Sequence, residues 1–174
     1  MENIRAGKVM VPLDKYPHIP YWFTLRQAMV EMEQSELEIE GRRALPRMVL
    51  IFDEKYQLMG MARRRDILKG LEPKFLQEKP LEHRKDLWNL QVDPDLSELS
   101  VDRVMAEVRR RAELPVSEVM LPIEVTVDAE DHIVKVIYEM NKHNLSLIPV
   151  LSGDAVVGVI RSVDVFHQIA KFVI

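Results

Sequence analysis

Cysteine is absent from the 174 residues. Disulfides, thiolate metal sites and cysteine nucleophiles are therefore excluded. Glycine is sparse, six residues in all, and none of it builds a phosphate loop, a nucleophile elbow or a dinucleotide-binding turn. Catalytic residues are thus assigned to none, and the chain is not expected to be an enzyme. No apolar run approaches the roughly 18 residues needed to span a bilayer. Residues 1–13 carry no apolar stretch of the kind that directs secretion, so a cytoplasmic location without a membrane partner is expected. Excess positive charge is absent too. A net charge of −4 gives no case for a nucleic-acid partner. The run Arg63-Arg64-Arg65 has no interleaved aromatics and reads as a solvated face with one inward arginine. Arg109-Arg110-Arg111 reads as the cationic end of a helix. The histidines, at 18, 83, 132, 143 and 167, are scattered without metal-ligand spacing, so no metal site is assigned. What remains is globular material, 47% hydrophobic and 30% charged, enough for one domain or two small units sharing a core.

The chain repeats itself. Gly60, Arg63 and Asp66 recur as Gly158, Arg161 and Asp164, at a constant offset of 98 residues. Upstream, Val9-Met10-Val11-Pro12 recurs as Val119-Met120-Leu121-Pro122 at an offset of 110. Between these, Leu25, Ala28, Met29, Glu31 and Met32 recur as Ile133, Val136, Ile137, Glu139 and Met140 at an offset of 108. The shrinking offset leaves an insertion in the first copy, most naturally the charged segment 33–43. Ordered self-similarity of this kind governs the whole fold.

Residues 1–13 are read as an extended entry, and 14–21, with Pro17 and Pro20, as loop. Thr24 is a plausible N-cap for a helix striped by Leu25, Ala28, Met29 and Met32. That helix is expected to extend into 33–43, fray and stop. A surface segment of that kind should be removable for about 1 kcal/mol or less. Residues 48–52 are wholly apolar and predict a buried strand. A turn and a strand over 57–62 follow, then a helix over 66–71. Residues 72–114 match nothing in the other half and read as a connector, with helix predicted over 96–111 and some around 81–90. In the second copy, strands are predicted at 125–127, 145–151 and 155–161. Helices are predicted from Ile133, capped by Asp128 or Asp131, and over 164–172.

The Val-Met-x-Pro entry, the strand Ile148-Pro149-Val150-Leu151, the turn after it and the Gly-x-x-x-x-x-Asp step into the last helix, taken together, resemble the cystathionine-β-synthase (CBS) domain, here as a tandem pair, or Bateman module. The resemblance implies an α/β (α+β) fold of two β-α-β-β-α units packed about a pseudo-twofold axis. Unit 1 would span 1–71 and unit 2 115–174, separated by the connector 72–114. It further implies a non-catalytic regulatory module with ligand clefts between the units. The expected ligand is AMP, ADP, ATP or S-adenosylmethionine, with no required cofactor. A homodimer and an effector protein acted on in trans are the expected partners. In the family the aspartate holds the ribose, which points to Asp66 and Asp164. A strand feeding a helix N-terminus independently offers N–H donors to phosphate. The implied lining is completed by Met10, Pro12, Met120, Pro122, Ile148 and Pro149. Two departures stand out. The family's hydroxyl residue three before the aspartate is arginine in both copies, Arg63 and Arg161, with Ser162 one position late. The basic residue before the strand survives only as Arg47. An alternative reading is a dimerisation scaffold whose clefts are plugged by Arg63 and Arg161.

Overall fold

A strand of five apolar residues has no polar face to turn to water, so it must be covered on both sides. Met48–Phe52 is buried at every position and lies inside a sheet. The computed structural model describes residues 3–74 and 94–174. The connector helix considered around 81–90 lies outside the described residues, as do His83 and Trp88. In chain order the elements are α1 (Ala6–Val9), β1 (Val11–Pro12), a 3₁₀ turn (Leu13–Lys15), β2 (His18–Pro20), α2 (Leu25–Gln34), β3 (Leu37–Ile39), β4 (Arg42–Ala44), β5 (Met48–Phe52), β6 (Leu58–Arg63) and α3 (Arg64–Leu71). There follow α4 (Pro94–Arg111), a second 3₁₀ turn (Val116–Glu118), β7 (Leu121–Pro122), β8 (Val127–Asp128), α5 (Ile133–His143), β9 (Leu147–Ser152), β10 (Ala155–Arg161) and α6 (Ser162–Val173). Among the described residues no helix is long and apolar enough to cross a membrane.

The fold is mixed α/β, with two sheets of the same plan. Their strand orders are β2-β5-β6-β7 and β1-β10-β9-β8. In each, a hairpin (β5-β6 or β9-β10) is flanked by a parallel strand on one side and an antiparallel strand on the other. The antiparallel edge strand comes from the other repeat. β1 lies on β10, with Pro12 opposite Gly158, and β7 lies on β6, with Pro122 opposite Gly60. Both glycines are required by this crossing. A Cβ on Gly158 would strike the Val11 carbonyl, and one on Gly60 the Leu121 carbonyl.

Alternation along the strands builds three apolar layers. Val49 and Ile51 face α2 and α3, joined there by Ala112 and Val116 from the approach to the second repeat. Ile148, Val150 and Ile160 face α5 and α6, joined by Ala6 and Val9 from the start of the first. Leu50, Met61, Leu147 and Val159 meet between the two sheets. Each repeat's entry segment is therefore buried in the other's core. Arg111, at the end of α4, turns inward and donates through Nε to the Gly70 carbonyl at 2.7 Å. That carbonyl lies in the last turn of α3, where a cation is favoured.

Several local expectations hold. Thr24 caps α2 with a capping box to Gln27, and the helices predicted from 66, 96 and 164 form with slightly earlier starts. Others do not. Residues 1–13 are not uniformly extended, because α1 forms where Ala6 and Val9 find the second repeat's core. Residues 18–20 form β2 rather than loop, parallel to β5 at the sheet edge. Pro20 is tolerated there because an edge strand leaves one side unpaired. The cap of α5 is neither Asp128 nor Asp131 but His132, which accepts the Val134 N–H. Asp131 instead accepts the Asp128 N–H and pairs with Lys135.

The largest correction concerns 33–43. The helix ends at Gln34, and the segment beyond folds as the β3-β4 hairpin. Glu40 and Gly41 turn it with φ of 50° and 76°, the positive values a two-residue hairpin turn demands. Leu37 is 2% exposed and belongs to the inter-sheet layer. The hairpin is thus a structural element and not a removable surface loop. Leu37→Ala should cost about 2–5 kcal/mol, the range for emptying a buried leucine site. Urea unfolding measures this, and a loss under 1 kcal/mol would restore the surface-loop reading.

Candidate functional site

Each Gly-x-x-Arg-x-x-Asp stretch carries the chain out of a strand and into a helix. Residues three apart at a helix start lie on one face, so the arginine and aspartate meet. Arg63 grips Asp66 with both arms of its guanidinium, Nε to Oδ2 at 2.7 Å and Nη2 to Oδ1 at 2.9 Å. Arg161 does the same to Asp164, at 2.6 Å for each bond. Asp66 Oδ2 also accepts the Arg63 backbone N–H at 3.0 Å. A carboxylate offers about four acceptor positions, and Asp66 already takes three N–H donors. Two ribose hydroxyls can therefore reach this carboxylate only if Arg63 turns away. Burial alone would push the Asp66 carboxyl up, but the hydrogen bonds from Arg63 outweigh it and hold it below the usual carboxylate range.

The arginine–aspartate pairs are alike, but the clefts beside them are not. The first cleft is open, with a volume of about 730 Å³, within the range that holds a small organic ligand. Arg47, Arg63, Arg64 and Arg65 line it, with Leu121, Pro122, Glu124, Asn144 and Ser146 opposite. Arg63 is spoken for by Asp66. Arg47, Arg64 and Arg65 are exposed and form no salt bridge among the described residues. The Arg64 N–H donates to the Arg47 carbonyl at 3.1 Å, which ties the strand start to the helix start and sets these cations side by side. Arg63, not Asp66, forms the wall of the cleft. Asp66 opens to an adjoining groove beside Met120, Lys69 and Arg111.

The second cleft, about 660 Å³, is walled on one side by Met10, Val11, Pro12 and Lys15 and on the other by the hairpin, residues 36–41. Glu36, Glu38 and Glu40 face Lys15 there, so its charge is opposite to that of the first. Leu37 lines it and belongs, with Tyr16, to the inter-sheet layer. The Tyr16 hydroxyl donates to the Met48 carbonyl at 3.0 Å, and burial pushes its phenol well above the ordinary range. At the equivalent place the second repeat has the smaller Thr126.

The sequence-derived residues are thus distributed unequally. Arg47, Arg63 and Pro122 line the first cleft, and Met10 and Pro12 the second. Arg161 and Asp164 are paired, Asp164 being buried. Ser162 is exposed, its N–H on the Ser146 carbonyl at 2.9 Å. Ile148 and Pro149 are buried in β9. Arg64, Arg65, Glu124, Tyr16 and Leu37 were not singled out from sequence. The triple-arginine run was the available signal for two of them.

Comparison with known proteins now bears on this geometry. The family model described as the CBS domain matches residues 116–171. Residues 116–171 are thus a CBS domain. A CBS-domain protein of unknown function from Kribbella flavida is similar over 97% of this chain and 99% of its own, with 14% identity and a TM-score of 0.65. The CBS domain of a membrane protein from Sphaerobacter thermophilus is similar over 96% and 88%, with 19% identity and a TM-score of 0.62. CBSX2, solved in complex with AMP, is similar over 99% and 100%, with 10% identity and a TM-score of 0.63. No curated protein matches the chain. These similarities show the CBS-pair fold over nearly the whole length.

The Arg63–Asp66 pair has a pH signature. A carboxyl held below its unfolded value stabilises the fold above the unfolded pKa and loses that contribution as pH falls through the folded one. Arg63→Ala should raise the Asp66 pKa and flatten the acid limb of the stability curve below pH about 4, near the ordinary carboxylate pKa. Carboxyl-resolved NMR titration of wild type and variant checks it. An unchanged Asp66 titration would show that the fork does not form in solution.

Proposed function

We propose that this CBS pair is a regulatory, non-catalytic module that binds one adenine nucleotide in the cleft lined by Arg47, Arg63, Arg64 and Arg65. The observation that carries the reading is an open cleft with three cationic side chains that form no salt bridge among the described residues. Guanidinium groups match phosphate oxygens bidentately, and such a cluster favours a ligand with several negative charges. The AMP complex of CBSX2 supports the choice of an adenosyl ligand. Among AMP, ADP, ATP and S-adenosylmethionine, the arginines favour the polyphosphates over the cationic sulfonium. In this reading Asp66 takes the ribose while the Arg63 fork passes from the carboxylate to a phosphate. The units are those of the repeat, 1–71 and 115–174, and an effector protein reads the ligand state in trans.

A second reading has a specific observation behind it. Both aspartates are already satisfied by internal arginines, which suits a scaffold with no small ligand. Calorimetric titration with adenosine, AMP, ATP and S-adenosylmethionine separates the two. Hydrogen bonds to charged groups are worth roughly 1.5–3 kcal/mol, so Arg47→Ala should weaken ATP binding about 10- to 150-fold. Adenosine binding, which lacks the phosphate, should be nearly unaffected. If the wild type binds none of the four, the scaffold reading replaces the sensor.

The same module is proposed to be a homodimer. Val163, Phe166 and Val173 on α6 are more than half exposed, at 56%, 74% and 78%, and three large apolar side chains on one helix want cover. Sedimentation should give twice the chain mass of 20.3 kDa at micromolar concentration. A monomer at that concentration would remove the dimer from the proposal.

A further inference from the structure

The hairpin inserted in the first repeat ends in a carboxylate that behaves as a bound anion. Glu40, at the tip, reaches α6 of the second repeat. It meets the His167 ring nitrogen at 2.9 Å, Lys171 Nζ at 3.0 and 2.9 Å, and Gln168 Nε2 at 3.4 Å. The bond from Lys171 is the largest influence holding the Glu40 carboxyl below its usual range. Asp164, His167 and Lys171 fall at i, i+3 and i+7, one stripe of α6, so these donors continue the helix face that begins at the second arginine–aspartate pair. Glu40 also lines the second cleft. The tip therefore reaches from the rim of that cleft to α6 and occupies the cationic donors there. With the tip in place the cleft shows three glutamates against Lys15, which repels anions. The first cleft has no such hairpin and shows arginines instead.

We propose that the hairpin is an internal plug, with Glu40 as the surrogate for a phosphoryl group. It makes the second cleft repel anionic ligands, and lifting it frees a second anion site on His167 and Lys171 of α6. The module is then built for one ligand per chain, and the second repeat's site is held in reserve by the first repeat's insertion. This extends the anion-binding reading of the first cleft to the second, but its test does not depend on that reading. The anchor and the plug at the tip are separate parts, since Leu37 is buried in the inter-sheet layer and Ile39 packs against it, while Glu40 stays at the surface. The tip can therefore be altered without emptying the core.

The experiment counts binding equivalents of inorganic tripolyphosphate by calorimetry. It compares wild type, Glu40→Lys, and a chain in which residues 40–43 are replaced by Gly-Gly with Leu37 and Ile39 kept. Thermal unfolding confirms that each is folded, and amide hydrogen exchange of α6 confirms that the tip has left. Both variants should bind one equivalent more than wild type, whatever number wild type binds. Adding His167→Ala and Lys171→Ala to the tip-less chain should abolish the extra equivalent. A tip-less chain with the wild-type count overturns the plug, as does an extra equivalent that survives loss of His167 and Lys171. Failure of the first cleft reads differently: wild type then binds none, while the variants still bind one.

Discussion

The structure depends on a strand exchange that only glycine permits. Each repeat's Val-Met-x-Pro entry leaves its own unit and completes the sheet of the other. At each crossing the partner strand carries glycine, because a Cβ would occupy the space of a carbonyl oxygen. Proline sits opposite on the entry strand, at the sheet edge where its missing N–H costs nothing. The exchange buries Ala6 and Val9 in the second core and Val116 in the first. Neither unit can then unfold without exposing apolar surface of the other, so the two should behave as one cooperative body.

The exchange also explains where the clefts lie. A foreign edge strand brings its entry loop against the strand-to-helix step of the other unit. The wall of each cleft is thus built by both repeats, as with Leu121 and Pro122 facing Arg63 to Arg65. Similar arginine–aspartate forks start α3 and α6, yet the electrostatics of the two clefts are opposed. The difference comes from neighbours outside the repeat pattern: Arg47, Arg64 and Arg65 on one side, the hairpin glutamates on the other. Two sheets of one plan are in this way flanked by one cationic cleft and one lined by the glutamates of the chain's own hairpin.

The repeat, the strand and helix types and the family were legible in sequence, because they rest on local patterns. Periodicity placed α2, α5 and β5, and Thr24 gave its capping box. The arginines three before each aspartate marked a departure from the family. Legibility stopped where long-range partners decide. Residues 14–21 have proline-rich loop chemistry, but the neighbouring strand β5 offers an edge that draws 18–20 into the sheet. The polar segment 33–43 has no apolar stripe of its own. One leucine of it nevertheless finds the inter-sheet layer, and that contact fixes a hairpin.

By itself the sequence determined that this is a doubled α/β unit without thiol chemistry or membrane-spanning runs, with arginine and aspartate at matched steps. Composition and spacing suffice for those statements, since they concern each segment's own preference. Tertiary structure alone decided that Arg64 and Arg65 would stand beside Arg47, and that Glu40 would cross to α6. These are contacts between residues as far as 131 positions apart. Their geometry is set by how two sheets pack and exchange strands, and no local preference of the chain encodes it.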